Sequence, residues 1–178
     1  MLILFKSLVR SRLEYCSNIW NPFLKSHIVQ VENIQRSFTS RIEGMNEFNY
    51  WERLSKLNLE SLQRRREKHL IINVWKIKNN VIPNNFKLSF REAKHTGAIK
   101  AVLNPLPRIK GRILTLYEQS FISNSAKLWN ILPSDLTRIS SLNSFKVNLN
   151  KFLQDIPDEP PIPGYPFQSN NSLVKKYV

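Results

Sequence analysis

LESLQRRREKHLIINVWKIK, residues 59–78, decides the fold class. It contains neither proline nor glycine, and Leu62, Leu70, Ile71, Val74, Trp75 and Ile77 fall at helical intervals that crowd toward its C-terminal half. The pattern predicts one long helix from about Glu60 to Lys78. The N-terminal half carries Arg64, Arg65 and Arg66 instead, a run expected on the solvated side of that helix.

Toward the N-terminus the helical signals continue. Phe5, Leu8, Leu13, Cys16 and Ile19 recur at helical intervals, which predicts a first helix from Leu2 to Trp20, stopped before Pro22. Ser26 is expected to cap a second helix carrying Ile28, Val31, Ile34, Phe38 and Ile42 on its apolar stripe, with Gly44 as terminator. Glu32 and Arg36, four apart, read as a local ion pair. Asn49 with Glu52 forms a variant capping box before a short helix holding Trp51, Leu54 and Leu57.

Toward the C-terminus the pattern loosens. Asn79, Asn80, Pro83, Asn84 and Asn85 break the chain, and Ile99–Leu103 and Ile113–Tyr117 read as short strands that can pair. Helices return over Ser120–Leu132, stopped by Pro133, and in SSLNSFKVNLNKFL, where Leu142, Phe145, Leu149 and Phe152 repeat. Five prolines between Pro157 and Pro166 then mark an extended tail. The expected architecture is mainly α, with a small irregular or β-hairpin insertion. Its segments are a helical region over 1–79, a basic insertion over 80–118, C-terminal helices over 119–154 and the proline-rich tail over 155–178.

Ten Phe, five Tyr and four Trp among 178 residues supply one substantial core, and four Gly leave little room for phosphate-cradling loops. The charge is +14, so an anionic partner is expected. No segment approaches the roughly 20 apolar residues of a membrane span, so nucleic acid is favoured over membrane and the expected location is intracellular, nuclear or cytoplasmic. Cys16, the one cysteine, reads as a small buried filler, and His27, His69 and His95 lack the spacing of a metal site. Trp20, Trp51, Trp75 and Trp129 all lie at apolar positions of helical patterns and read as core.

Two-metal chemistry needs clustered carboxylates, and Asp occurs only at 135, 155 and 158. Walker, nucleophile-elbow, Rossmann and H-E-x-x-H patterns do not occur. The expectation is therefore no catalytic residues, no metal and no cofactor. Between Ser61 and Ser120, however, thirteen basic residues face three acidic ones, a net of +10 suited to neutralising phosphates. The candidate nucleic-acid contacts are Arg64, Arg65, Arg66 and Lys68, followed by Lys94, Lys100, Arg108, Lys110 and Arg112.

Several segments, in order, resemble the region after the polymerase palm in non-LTR retrotransposon reverse transcriptases of the jockey type. Arg10, Leu13, Glu14, Tyr15, Trp20 and Pro22 match that family's R-x-x-L-E-Y-x-x-x-x-W-x-P segment, and Glu32, Gln35 and Arg36 its L-E-x-x-Q-R helix. Tyr50, Arg53, Leu54, Leu57, Leu59, Leu62, Arg65 and Arg66 fall where its Y-x-x-R-L-x-x-L-x-L-x-x-L-x-x-R-R stretch has them. Trp129, Asn130, Leu132, Pro133, Leu142, Phe145 and Lys146 are similar to its closing helices. The resemblance implies a thumb-like assembly that grips template and primer during RNA-directed DNA synthesis, acting with a palm whose aromatic-x-Asp-Asp motif has no counterpart here. It further implies that Met1 is a start inside a decayed or split element. A free-standing nucleic-acid-binding module, an inert retroelement remnant, and a piece complementing a palm supplied by another chain are the alternatives.

Overall fold

The computed structural model describes residues 1–22, 24–85, 88–102, 117 and 120–163. Their order is α1 (Leu2–Leu4), a π-helical stretch (Phe5–Arg10), α2 (Ser11–Glu14), α3 (Ser17–Trp20), α4 (Lys25–Ser40), α5 (Tyr50–Lys56), α6 (Leu62–Lys78), β1 (Ser89–Glu92), β2 (Ile99–Val102), α7 (Phe121–Ile131), α8 (Ser134–Thr137) and α9 (Leu142–Gln154). The fold is mainly helical with one small antiparallel hairpin, as expected. Two compact units divide the chain: Met1–Arg66 with the segment from Pro157, and Glu67–Ile156. The boundary falls inside α6.

In the first unit, the single helix expected over Leu2–Trp20 is instead interrupted. Tyr15 is extended and Cys16 is left-handed at φ 51°, with no glycine or proline to announce the break. The Trp20 indole N–H donates to the Tyr15 carbonyl at 2.7 Å, satisfying an acceptor that the lost turn releases. Cys16 is consequently exposed, not a buried filler, and Trp20 is 39% exposed, not core.

α4 starts one residue before Ser26, with Leu24 at the N-cap and no side-chain cap. Its expected stripe is not the buried face. Ile34 is 41% exposed, while Glu32, Gln35 and Thr39 are at most 1% exposed. Phe38 stacks on Phe5 with centroids 4.1 Å apart. The capping box before α5 is present in full: Glu52 N donates to Asn49 Oδ1 at 3.0 Å and Asn49 N to Glu52 Oε2 at 2.9 Å. It starts a helix that buries Tyr50 and Leu54, against which Leu59 and the half-buried Leu2, Trp51, Leu57 and Ile162 pack.

The second unit is built around aromatic rings. Phe145, at i and i+4 with Leu149 on α9, lies 5.7 Å from Trp75 and 5.9 Å from Trp129, and all four side chains are within 2% of complete burial. Each indole N–H is satisfied, Trp75 on the Ile139 carbonyl and Trp129 on that of Ile99. β2 pairs with β1, Phe90 opposite Ala101, so its partner comes from the stretch that reads as irregular in sequence. Of Ile113–Tyr117, the strand expected to pair with it, residues 113–116 lie outside the described residues. Gly97 turns the hairpin at φ 62°, where an added Cβ would meet Arg138 Nη2 at 2.9 Å.

The far edge of β2 is closed by a side chain. Ala101 N donates to Asn130 Oδ1 at 2.8 Å and Asn130 Nδ2 donates to Ala101 O at 3.0 Å, so one amide stands in for a third strand. Replacing Asn130 with alanine strips Ala101 of both partners. The expected loss is about 1 to 3 kcal/mol of stability, read from urea unfolding; an unchanged midpoint would show that the amide is dispensable.

Candidate nucleic-acid interface

The cations singled out from the sequence separate into engaged and exposed groups. Arg64 is 2% exposed; its Nη2 donates to the Pro157 carbonyl at 2.7 Å and its backbone N–H to Ser61 Oγ at 3.0 Å. Arg65 is clamped by Glu14, which accepts from Nε and, at 2.8 Å, from Nη2, with Glu60 3.4 Å from Nη1. That ion pair raises the Arg65 pKa. Arg66, 2% exposed, donates to Asn21 Oδ1 at 3.2 Å and lies 5.8 Å from the Trp20 ring centroid. The triplet is therefore not a solvated phosphate comb: Arg64 and Arg66 are buried in the first unit, and Arg65 is half-buried in its ion pair.

In the second unit Lys68 is half-buried, and Lys100 donates to the carbonyls of Asn130 and Leu132. These carbonyls close α7, where a cation complements the helix dipole, and burial lowers the lysine's pKa. Of the nine candidates, Lys94 alone among the described residues is exposed; Arg108, Lys110 and Arg112 lie outside them. Arg91, Lys127, Lys146 and Lys151 are further exposed cations of this unit, and the sequence signal for them is their polar position on a strand or helix face.

The triplet adjoins a larger polar network that sequence reasoning missed. Glu32 accepts from the Tyr50 hydroxyl at 2.7 Å and from Gln63 N at 2.6 Å. Gln35 Nε2 donates to Tyr50 Oη at 3.1 Å and to the Glu60 carbonyl at 3.0 Å. Arg53 Nε donates to Thr39 Oγ1 at 3.2 Å and its Nη1 to the Phe48 carbonyl at 2.8 Å. Burial pushes the Glu32 carboxyl up to about 7, against the opposing pull of Arg66 and the two hydrogen bonds. Arg36, expected to pair with Glu32, donates to Asn33 Oδ1 instead. Asp158 accepts from Ser61 N and Oγ, both at 2.7 Å, and burial raises its pKa.

Apolar side chains also reach solvent. Ile3, Leu4, Leu8, Tyr15 and Ile19 are 61% to 86% exposed, all on the first helical segments. Among the described residues, no three His, Cys, Asp or Glu side chains gather as metal ligands, and no helix is long and apolar enough to cross a membrane. No family model, curated protein or solved structure matches the chain.

Proposed function

We propose that this chain is a non-catalytic, thumb-like portion of a reverse transcriptase of the non-LTR type, whose work is to hold a template-primer duplex through its phosphates. The observation that carries the reading is a convergence. Glu14, Trp20, Glu32, Gln35, Tyr50, Arg53, Arg65 and Arg66, which bear the family resemblance in three separate segments, contact one another or share partners in a single unit. Residues matched only by order along the chain thus make one physical set. The exposed apolar positions Ile3, Leu4, Leu8 and Ile19 suit a segment that packs on a further domain such as a palm.

Phosphate contact falls to the exposed cations of the second unit, above all Arg91 on β1 and Lys94 in the hairpin turn. Binding to duplex or hybrid nucleic acid should tolerate sequence and weaken linearly in log–log salt. The double variant Arg91→Ala, Lys94→Ala should keep its helicity and flatten the slope by about two units. Titrations at several salt concentrations decide the matter: equal slopes for variant and parent would remove the hairpin from the interface.

A further inference from the structure

The segment Pro157–Pro163 has no strand or helix of its own, yet it is held in the first unit at Pro157, Asp158, Pro160 and Ile162. Arg64 donates to the Pro157 carbonyl at 2.7 Å. The Asp158 carboxylate takes the Ser61 N–H and hydroxyl, both at 2.7 Å, next to the start of α6. The Trp51 indole N–H donates to the Pro160 carbonyl at 2.9 Å, Pro160 and Pro161 are buried, and Ile162 packs with Tyr50, Leu54 and Leu59. These contacts come from Pro157, Asp158, Pro160, Pro161 and Ile162, all within one short stretch.

We propose that the surface presented by Trp51, Ser61 and Arg64 is a recognition site for acidic, proline-rich segments of other polypeptides, and that Pro157–Pro163 occupies it as an intramolecular ligand. Proline-rich chains lose little conformational entropy on docking, and an aromatic groove with an indole donor is a recurrent way to hold them. Polarity matches: in a chain of net +14, the segment contributes Asp158 and Glu159. The carboxylate supplies a charge-assisted anchor, and the Trp51 donor and the buried prolines set the register. A partner would have to displace the segment, whose tethering gives it a millimolar effective concentration of order.

The test uses the full chain and a fluorescent peptide of residues 157–163, PDEPPIP. In the chain carrying Asp158→Asn the tethered segment loses its anchor, so the peptide should bind about tenfold or more tightly than to the wild-type chain. Unlabelled PDEPPIP should compete, and the same peptide bearing Asp158→Asn should not. Adding Trp51→Phe to the chain, which keeps a ring and deletes the donor, should weaken binding again. The proposal is overturned if the folded Asp158→Asn chain takes up no peptide at millimolar concentration, or if both peptides compete equally. A variant that loses its helical circular dichroism would make the segment part of the core, which also overturns it. So would a wild-type chain found dimeric through exchange of this segment, which would place a second copy on this surface.

Discussion

Replacing Arg64 with alanine should unfold the first unit more readily and leave the salt dependence of nucleic-acid binding where it was. Arg64 is 2% exposed, donates to the Pro157 carbonyl and lies close enough to Asp158 to oppose the rise of its pKa. Its removal leaves the Pro157 carbonyl without this donor and takes away a cation that holds the Asp158 carboxyl down. Deleting a buried charged donor of this kind costs about 1.5 to 3 kcal/mol. A solvent-facing arginine would do the opposite, costing almost nothing in stability and about one unit of salt slope. Urea unfolding and salt titrations on the one variant therefore separate the two roles. Intact stability with a flattened slope would return Arg64 to the interface.

The second large effect concerns pH. The Glu32 carboxyl is pushed up to about 7 from an ordinary 4.5, chiefly by burial. A carboxyl with a raised pKa binds its proton more tightly when the chain is folded. Its contribution is fully present below about pH 4.5 and is lost as pH rises through 7. Burial shifts Asp158 in the same direction, so the two add. Stability should accordingly fall by about 3 kcal/mol between pH 5 and pH 8 on account of Glu32. Glu32→Gln, which keeps one acceptor oxygen for the Gln63 N–H but has no group that titrates, should flatten most of that slope. Stability that is level or rises over this interval in the wild-type chain would refute the assignment.

The parts of this fold that sequence makes legible are those governed by local rules. The Asn49–Glu52 capping box, the helix over Leu62–Lys78 and the Leu142, Phe145, Leu149 periodicity all depend on residues a few positions apart. What remains hidden depends on distant partners. Periodicity assumes that the buried side of a helix is its apolar side, so α4 is read about one residue out of phase: Val31 for Glu32, Ile34 for Gln35, Phe38 for Thr39. Those polar groups are inside because Tyr50, Arg53 and the backbone of Gln63 hydrogen-bond them, and no window of sequence contains both halves. The arginine triplet is misread for the same reason, its partners being Glu14, Asn21 and Pro157. β1, with the sequence SFRE, has no apolar run to mark it as a strand.

The distances along the chain also bear on how the protein is made. Ser61 meets Asp158 across 97 residues and Trp51 meets Pro160 across 109. On a ribosome, the first unit to begin emerging is therefore the last that can be completed, since Asp158 and Pro160 are among the later residues to leave. The run Glu67–Ile156, which makes up most of the second unit, leaves before them. Until the seam closes, Trp51 and the Ser61 amide stay open to solvent, to chaperones or to a neighbouring nascent chain. The slow event in biogenesis should then be the seating of a seven-residue segment, not the formation of any helix.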